Sequence, residues 1–373
     1  MPLELVAGAP RTPELRPYEE PALGPRQIRI GTEFASPKHG TELVGYRDDP
    51  AARRPYHQGW GAVLPPPEVQ AGQGFPRPLG NMAVGVVTEV GAEATRFRVG
   101  ERVFGHFPIR ETQTVDETDA DPLPEGMTAE AAVCLDPAVM ALAMRDARIG
   151  LGDRVAVFGL GAIGLMAVQL ARLAGAAWVV AVDPIAARRE VALALGADAA
   201  LDPTADGGDA GLAIRRLTAP TGWTPRARPR GERLLGGYRE APTVAAELGV
   251  DVAVEVSGSS LALHHAIRAT RFGGTVCVLS FYGGEATGLR LGDEFHINRL
   301  QLVSARAESL PLRDGPGWTL GRMAEVSFGW LAEGRLRTEG IVTPVVAFAE
   351  SVEAYREIDE HPERSIKLGV RFP

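Results

Sequence analysis

A glycine-rich turn followed by an acidic residue is the pattern in this chain with the most specific chemistry. Residues 159–164 read Gly-Leu-Gly-Ala-Ile-Gly and follow a short β-rich apolar run, Val155–Phe158. A helix-like apolar run comes next, and a second β-rich run, Trp178–Val182, ends on Asp183, about twenty residues beyond the turn. Strand, glycine turn, helix, strand and acid in this order predict a dinucleotide-binding unit.

Each glycine of the turn has a distinct physical task. Gly159 allows the tight turn, Gly161 lets backbone approach a pyrophosphate, and Gly164 lets the helix pack close to the strand. The N-terminus of the helix offers free N–H groups and the positive end of its dipole to the phosphates. The predicted cofactor-binding residues are Gly159, Gly161, Ala162, Ile163, Gly164, Asp183, Arg188 and Ser257.

The acidic residue also bears on which dinucleotide binds. A carboxylate at Asp183 accepts hydrogen bonds from ribose hydroxyls and repels a 2′-phosphate, which favours NAD over NADP. Arg188 and Arg189 weaken this preference, because either one could pair with a 2′-phosphate if it turned back towards the site. A solvated face of the next helix is the favoured role for both arginines.

Composition limits the class of protein. With 373 residues the chain is long enough for two domains, and its hydrophobic fraction of 45% and charged fraction of 23% are typical of a globular protein. The net charge of −8 argues against nucleic acid or an anionic membrane as a partner. The two cysteines, Cys134 and Cys277, lie in apolar surroundings, and no run is long enough to span a bilayer. We therefore expect a cytoplasmic protein.

The chain changes character near its middle. Residues 1–145 are β-rich with many turns, and strand–helix alternation typical of a parallel sheet begins at Asp153. The alternation stops between Pro203 and Glu247, where a segment rich in Pro, Arg and Gly predicts a surface insertion. A helix is expected from Thr128 towards Met144.

Taken together, the segments resemble the medium-chain dehydrogenase/reductase superfamily, in its zinc alcohol and polyol dehydrogenase branch. The resemblance implies an α/β fold with a Rossmann doubly wound parallel sheet and a β-rich GroES-like catalytic domain. It is carried by Lys38-His-Gly-Thr-Glu-Leu43, Leu79-Gly-Asn-Met-Ala-Val-Gly-Val-Val87, Arg98-Val-Gly-Glu-Arg-Val103, the turn at 159–164 and the ending from Val342 to Val370.

The resemblance also implies the domain limits and the assembly. The catalytic domain is expected to combine residues 1–147 and 301–373, around an NAD-binding domain at 148–300 with an insertion at about 205–245. A homodimer joined through cofactor-domain edge strands is expected, with Thr275–Ser280 as the candidate strand.

The positions that hold the catalytic zinc in that family differ here. The cysteine position is His39, the Gly-His-Glu motif has become Gly80-Asn81-Met82, and the last position is approximately Asp136. Amide and thioether groups are poor zinc ligands, so His39 and Asp136 alone are suitable. The stretch 105–126 also lacks the structural-zinc cysteines. We therefore predict that no metal is bound.

Without a metal, a side chain must handle the hydroxyl proton. His39 is the first candidate, because it stands at the metal position and titrates near neutrality. Lys38 could lower the pKa of His39 or act itself, Thr41 could relay the proton, and Asp136 could orient His39. The alternative for His39 is a loop histidine that is hydrogen-bonded to backbone.

Three functions remain in competition. The first is a zinc-independent NAD(H) oxidoreductase that interconverts a secondary alcohol and a ketone on a sugar-like or secondary-metabolite substrate, with Glu42 and Asn81 as substrate contacts. The second is a zinc-free enoyl or quinone reductase that uses NADPH. The Asp183 carboxylate, which disfavours NADPH, argues against this function. The third is a non-catalytic NAD-binding protein. A small-molecule substrate is expected in the first two.

Overall fold

The computed structural model describes residues 1–50, 54–64, 74–205, 207–221, 247–309 and 313–373. Its strands are β1 (Leu3–Ala9), β2 (Thr12–Pro17), β3 (Gln27–Ser36), β4 (Tyr56–His57), β5 (Ala62–Val63), β6 (Arg77–Pro78), β7 (Met82–Val90), β8 (Arg102–Gly105), β9 (Thr112–Asp116), β10 (Asp121–Pro122), β11 (Arg154–Phe158), β12 (Trp178–Val182), β13 (Ala199–Leu201), β14 (Val250–Glu255), β15 (Thr270–Val278), β16 (Gln301–Ser304), β17 (Val342–Ala347) and β18 (Lys367–Arg371).

The described α-helices are α1 (His39–Tyr46), α2 (Ala129–Ala132), α3 (Leu135–Leu142), α4 (Ala162–Leu173), α5 (Ala186–Ala194), α6 (Ala210–Leu217), α7 (Ser260–Ala269), α8 (Leu320–Ala332) and α9 (Ser351–Glu360). No helix among the described residues is long and apolar enough to cross a membrane.

The chain forms two compact units, one of residues 1–137 and 324–373, the other of residues 138–323. In the first unit, a sheet of seven strands runs in the order β10-β8-β7-β3-β18-β17, with β9 also paired to β3. The C-terminal strand β18 lies antiparallel to β3, with Val370 opposite Ala35. The two chain ends therefore share one sheet, as expected for a catalytic domain built from both.

The second unit is an open parallel sheet. Its order, β13-β12-β11-β14-β15-β16, is the 3-2-1-4-5-6 order of the doubly wound dinucleotide-binding fold. Four of the five residues of β11 and of β12 are buried, as expected for central strands covered by helices on both faces. The predicted strand Trp178–Val182 is confirmed to the residue. The α/β fold class is confirmed.

The observed limits of the units differ from those expected. The second unit extends to residue 323 rather than 300 because β16 is the sixth strand of the parallel sheet and pairs with β15. At the other limit, α3 begins within the first unit at Leu135 and most of it lies in the second.

Two smaller expectations require correction. The helix predicted from Thr128 is interrupted: Thr128 caps α2 by accepting the Ala131 N–H at 3.1 Å, but α2 ends at Ala132 and α3 starts separately. The predicted edge strand, Thr275–Ser280, is internal, because β15 lies between β14 and β16. The sheet edge on that side is β16.

The predicted insertion lies only partly within the described residues. Residues 222–246, which include its second half, fall outside them. The preceding part is regular, since α6 is capped by the Asp209 carboxylate, which accepts the Leu212 N–H at 2.8 Å. α6 therefore lies within the range in which the sequence predicted that the strand–helix alternation stops.

Candidate active site

The glycine turn lies between β11 and α4 and has the backbone that its sequence requires. Gly159 has φ +89°, a conformation that L side chains rarely adopt, and a Cβ there would lie 2.7 Å from the Ser257 nitrogen. A Cβ on Gly164 would overlap the carbonyl oxygen of Gly159. Gly161 is the N-cap of α4, and a Cβ there would meet nothing within 4 Å. The first and last glycines are therefore needed by the fold, whereas Gly161 faces open space.

Asp183 follows β12 directly and is 4% exposed. Its Oδ2 accepts the Leu160 N–H at 2.8 Å, and its Oδ1 accepts the Ile185 N–H at 2.9 Å. One carboxylate thus ties the glycine turn to the end of the next strand. A carboxylate offers about four lone-pair sites, so these two bonds leave it with further accepting capacity.

The two arginines after Asp183 differ in their surroundings. Arg188 Nη1 lies 3.9 Å from Asp183 Oδ2. Arg189 donates from Nη1 to the carbonyl oxygens of Asp183, at 2.7 Å, and Pro184, at 2.8 Å, and also pairs with Asp202. Arg189 is therefore held on the loop, which leaves Arg188 as the arginine beside the carboxylate.

A buried carboxylate at the end of β14 was missed by sequence reasoning. Glu255 is fully buried and accepts hydrogen bonds from the backbone and side chain of Ser257, from Ser280 Oγ at 2.6 Å and from the Tyr282 hydroxyl. Burial, followed by the Glu255 charge, raises the pKa of Tyr282. Ser257, which was predicted to contact the cofactor, is exposed, and its hydroxyl donates a hydrogen bond to the Glu255 carboxylate. The signal was an acid at the end of an otherwise apolar strand.

In the first unit, the turn from β3 into α1 is held by the C-terminal strand. Ser36 Oγ donates to the Leu368 carbonyl at 2.6 Å, and the Leu368 N–H donates to His39 Nε2 at 2.9 Å. Lys367 Nζ donates to the Pro37 carbonyl at 3.0 Å. Three hydrogen bonds between this segment and two residues of β18, Lys367 and Leu368, therefore fix the turn that carries Lys38.

Lys38 and Asp136 form an ion pair. Lys38 Nζ lies 3.1 Å from Asp136 Oδ1, and the two side chains are 20% and 9% exposed. Asp136 stands in the first turn of α3. The sequence placed Asp136 as the residue that orients His39, but its hydrogen-bond partner in the structure is Lys38. An amine held by a carboxylate and still open to solvent can exchange a proton with a bound hydroxyl.

His39 is placed differently from the expected catalytic base. Because Nε2 accepts the Leu368 N–H, the neutral ring carries its proton on Nδ1. A base must offer a lone pair to the substrate proton, and the Nε2 lone pair is already engaged. The hydrogen bond to the Leu368 backbone is the one that the alternative for His39 expects, and it leaves Lys38 as the stronger candidate for proton transfer.

The Glu42 carboxyl group accepts hydrogen bonds from three separate parts of the first unit. Its Oε1 accepts the Tyr355 hydroxyl at 2.6 Å and the Gly80 N–H at 2.8 Å, and its Oε2 accepts the Lys38 N–H at 3.2 Å. Burial raises the pKa of Glu42, against the effect of these hydrogen bonds and of the Lys367 charge. The predicted substrate contact is thus a carboxyl group occupied within the protein, where it joins α1, α9 and the turn before β7.

Asn81 and Thr41 are the remaining residues of the predicted catalytic and substrate-binding site. The Asn81 N–H donates to the Ser36 carbonyl at 3.0 Å, which places Asn81 beside the turn that carries Lys38. Its Nδ2 is buried and has no hydrogen-bond partner within the part of the chain that the structure describes. Such a donor is costly unless something accepts from it. Thr41 is exposed on α1.

Lys367 is a buried lysine beside the turn after β3 that sequence reasoning missed. It is 3% exposed, although lysine is among the residues least often buried. Burial lowers the pKa of Lys367, and Cys134, Asp136 and Glu42 oppose that fall. Its position in the closing strand gave no local signal, because the strand pattern alone does not show which side chain faces the turn after β3.

The donor set does not fit a catalytic zinc ion. Zinc requires deprotonated thiolate, imidazole or carboxylate ligands with open lone pairs. His39 Nε2 and Asp136 are engaged by Leu368 and Lys38, and burial raises the pKa of the Cys134 thiol to about 12. Across the described ranges, no group of three or more His, Cys, Asp or Glu residues could hold a metal ion.

Comparison with known proteins identifies the family. A zinc-binding dehydrogenase family model matches residues 162–309. The chain is 38% identical to D-guloside 3-dehydrogenase of Escherichia coli (strain K12) over 377 residues, which covers 99% of each chain. The chain belongs to the medium-chain dehydrogenase/reductase superfamily. This medium-chain dehydrogenase is also 25% identical to (R,R)-butanediol dehydrogenase of Bacillus subtilis (strain 168) over 354 residues, or 87% of this chain and 88% of that one.

The fold agrees with this assignment. The crystal structure of 2R,3R-butanediol dehydrogenase from Bacillus subtilis matches 100% of this chain and 99% of that chain, with a TM-score of 0.70 and 20% sequence identity. The predicted resemblance is therefore confirmed, with its GroES-like and Rossmann domains. As a member of this superfamily, the protein is an oxidoreductase.

Proposed function

We propose that this medium-chain dehydrogenase interconverts a secondary hydroxyl and a ketone on a polyhydroxylated, sugar-like small molecule, with NAD(H) and without zinc. The observation that carries the proposal is the ion pair between Lys38 Nζ and Asp136 Oδ1 at 3.1 Å. It places an ammonium and a carboxylate in the catalytic domain at or beside the positions where the family resemblance expects metal ligands.

The reaction moves one hydride and one proton. NAD(H), which the glycine turn and Asp183 would hold, would supply the hydride acceptor for oxidation and the hydride donor for reduction. In oxidation, the amine form of Lys38 takes the hydroxyl proton as the carbonyl forms. In reduction, the Lys38 ammonium donates that proton to the carbonyl oxygen, so the same group serves as base and acid.

Asp136 and Asn81 support this proton transfer. The Asp136 carboxylate orients Lys38 and stabilises its ammonium form after the proton arrives. The Nδ2 of Asn81 is buried without a hydrogen-bond partner among the described residues, and a turn of the side chain towards the substrate would give a substrate hydroxyl a donor to accept from. A site with such a donor discriminates strongly for substrates that carry an oxygen acceptor at that place. This agrees with a polyhydroxylated substrate.

The cofactor preference rests on the second unit. The glycine turn presents the N-terminus of α4, where phosphates bind favourably. The buried carboxylate of Asp183, held by the Leu160 and Ile185 N–H groups, disfavours a 2′-phosphate nearby. Arg188 beside it is the residue that a 2′-phosphate would need, so its 3.9 Å approach to Asp183 supports NAD.

The substrate class rests on the relatives. D-guloside 3-dehydrogenase, at 38% identity, acts on a glycoside by its name, and a probable D-xylulose reductase A of Aspergillus terreus is 25% identical over 76% of this chain. Both names refer to sugar-derived, polyhydroxylated molecules. We therefore infer a glycoside or polyol, oxidised at one ring or chain hydroxyl.

The assembly that we propose is a homodimer. β16 is the last strand of the parallel sheet, and its burial pattern shows three exposed residues of four. An edge strand of this kind offers unpaired N–H and C=O groups to a second copy. Ala305 donates to Val278 of β15, so the alternate N–H groups of β16, including that of Leu302, face the open edge. Sedimentation analysis of wild type and of a Leu302→Pro variant tests this, because proline cannot donate to an inter-strand ladder. A dimer that Leu302→Pro leaves intact would place the interface elsewhere.

The first experiment measures metal content and cofactor affinity on one purified sample. Elemental analysis is combined with NADH and NADPH titrations, followed by assays with glycosides, polyols and the corresponding ketones. We expect substoichiometric zinc, tighter NADH binding and turnover of a hydroxyl substrate.

Other outcomes separate the competing functions. Stoichiometric zinc with loss of turnover on chelation would contradict the metal-free mechanism. Reduction of enones with NADPH and no alcohol oxidation would assign an enoyl or quinone reductase. Tight NADH binding without turnover of any carbonyl or hydroxyl substrate would assign a binding protein.

A further inference from the structure

A buried carboxylate held by neutral groups stands at the edge of the parallel sheet that carries the glycine turn. Glu255, the last residue of β14, is fully buried. Its Oε1 accepts the Ser257 N–H at 2.8 Å and the Ser257 hydroxyl, and its Oε2 accepts the hydroxyls of Ser280, at 2.6 Å, and of Tyr282. Four such donors favour the charged form of a carboxyl group. All four are neutral, and the residues that the structure describes form no ion pair with Glu255.

The strand order places Glu255 in one half of the dinucleotide site. In the order 3-2-1-4-5-6, the phosphates bind at the turn after strand 1, and each half of the sheet receives one nucleoside. The acid after strand 2, Asp183, marks the adenosine half. β14 is strand 4, and its Glu255 is in register with Phe158, the last residue of β11. Glu255 therefore ends the first strand of the nicotinamide half.

The segment that Glu255 binds lies directly against the glycine turn. A Cβ on Gly159 would lie 2.7 Å from the Ser257 nitrogen, and the Val256 N–H donates to the Phe158 carbonyl at 2.8 Å. Ser257 itself is exposed. The carboxylate therefore lies beneath an accessible segment next to the turn where the phosphates would bind.

The two redox forms of a nicotinamide cofactor differ in the charge of the ring. The oxidised ring is a cation, and a hydride, which brings one proton and two electrons, neutralises it. A fixed anion attracts the cationic ring through space and has little effect on the neutral one. Charges that the protein fixes near a cofactor ring are one means of tuning its chemistry.

We propose that the buried charge of Glu255 makes this site bind the oxidised, cationic nicotinamide in preference to the reduced, neutral one. The inference rests on the proposed use of a nicotinamide cofactor. A bound cofactor that is stabilised in its oxidised form accepts a hydride less readily. Among the bound species, the equilibrium is therefore shifted towards reduction of the ketone.

The hydrogen bonds to Glu255 also connect two loops. Ser280 Oγ, after β15, accepts the Gly258 N–H at 3.0 Å and donates to the Glu255 carboxylate. The Tyr282 hydroxyl donates to the same oxygen. Each donor disperses part of the negative charge, so the loss of one donor leaves a stronger anion. The charge and the connection between the loops can therefore be tested separately.

Two variants separate them. Glu255→Gln removes the charge at nearly the same shape, and Ser280 can turn its proton to the carbonyl oxygen of residue 255, 3.2 Å away, and accept from the new amide. Tyr282→Phe keeps the charge and removes one donor. The matched control is Asp183→Asn, the same change of acid to amide at a strand end in the adenosine half, which is identical in the two redox forms.

The measurement is the dissociation constant of each variant for NAD⁺ and for NADH, by isothermal titration calorimetry in one buffer. Circular dichroism shows whether each variant is folded. We expect the ratio of the NADH constant to the NAD⁺ constant to fall about fivefold in Glu255→Gln, through weaker NAD⁺ binding. In Tyr282→Phe the ratio should rise about twofold. Asp183→Asn should keep the wild-type ratio even where both affinities change.

Several results would overturn the proposal. In a folded Glu255→Gln variant, equal losses of affinity for both redox forms would mean that Glu255 only connects the loops. A ratio that stays or falls in Tyr282→Phe would also decide against the charge, and this variant decides alone if Glu255→Gln does not fold. A ratio that moves in Asp183→Asn as far as in Glu255→Gln would remove the distinction between the two halves.

The outcomes also separate this inference from the proposed function. If the phosphorylated cofactors bind more tightly, the same ratios are measured with NADP⁺ and NADPH, whose rings differ by the same charge. A wild-type protein that binds neither pair would overturn both proposals. Unchanged ratios together with turnover of a hydroxyl substrate would reject this inference alone. The expected ratios in a protein without any turnover would retain this inference and reject the proposed enzyme.

Discussion

Lys38 Nζ and Asp136 Oδ1, 98 residues apart in sequence, lie 3.1 Å from each other in the catalytic domain. The pair joins the turn before α1 to the first turn of α3, and 20% of the lysine side chain is exposed. An ion pair that is open at one end can both hold and exchange a proton. The proposed chemistry depends on this relationship.

The most direct prediction concerns Lys38. We expect Lys38→Met to lower kcat for alcohol oxidation by about 10²–10⁴-fold, the usual contribution of a positioned acid–base group. The Lys38→Arg variant should be nearly as poor, because a guanidinium does not release its proton. NADH affinity, measured by fluorescence titration, should stay unchanged in both. A Lys38→Met variant with near wild-type kcat would remove this residue from the mechanism.

A second prediction separates His39 from Lys38. The His39→Gln variant keeps a side-chain oxygen that can accept the Leu368 N–H in place of Nε2. We therefore expect kcat within about threefold of wild type, because a neutral acceptor is sufficient if the ring carries no catalytic proton. Steady-state kinetics at several pH values measure this. A loss as large as that of Lys38→Met would restore His39 as the base.

The sequence predicted the fold well for specific reasons. A side chain at Gly159 or Gly164 would overlap the backbone of the turn, so only glycine fits at these two positions. The glycine pattern in the sequence therefore predicts this part of the structure directly. The site in the other unit was harder to predict. His39 and Lys38 are adjacent in sequence, and their different roles depend on Leu368 and Asp136, whose positions long-range pairing determines. Single-sequence patterns do not contain that information.

A third prediction concerns the pH dependence of stability through Glu42. Burial raises the pKa of Glu42 above its usual 4.5, so the folded protein holds this proton more tightly than the unfolded chain. The corresponding stabilisation is full below pH 4.5 and is lost as the pH rises through the folded-state pKa. The difference in unfolding free energy between wild type and Glu42→Gln should therefore fall as the pH rises from 4.5 through the folded-state pKa.

Urea unfolding of both proteins across this range provides the measurement. Tyr355→Phe is a useful companion, because it removes one hydrogen bond to Glu42 without removing the carboxyl group. The Tyr355 hydrogen bond lowers the pKa of Glu42, so the advantage of wild type over Tyr355→Phe should grow as the pH rises, opposite to the trend for Glu42→Gln. An advantage of wild type over Glu42→Gln that grows with pH would mean that folding lowers the pKa of Glu42 instead of raising it.

A fourth prediction uses two glycines of the turn as a matched pair. A Cβ at Gly161 meets nothing within 4 Å, so Gly161→Ala should fold normally. It should weaken NADH binding by about tenfold, because the added methyl group obstructs the approach of the pyrophosphate. Gly164→Ala, whose Cβ would overlap the Gly159 carbonyl oxygen, should lower the melting temperature as well. Unchanged NADH affinity in Gly161→Ala would place the phosphates elsewhere.

The last prediction concerns cofactor choice. Asp183→Asn removes the negative charge and keeps one oxygen that can accept the Leu160 N–H, whereas its NH2 group would face the Ile185 N–H, so the melting temperature is measured alongside to show whether the turn is retained. Without that charge, a 2′-phosphate beside Arg188 no longer meets a carboxylate 3.9 Å from the guanidinium. We expect the ratio of NADPH to NADH affinity to rise by about tenfold, mainly through tighter NADPH binding. The double variant Asp183→Asn, Arg188→Met should lose that gain. If Asp183→Asn binds both cofactors with their wild-type ratio, the carboxylate has a structural role in the turn and does not select between them.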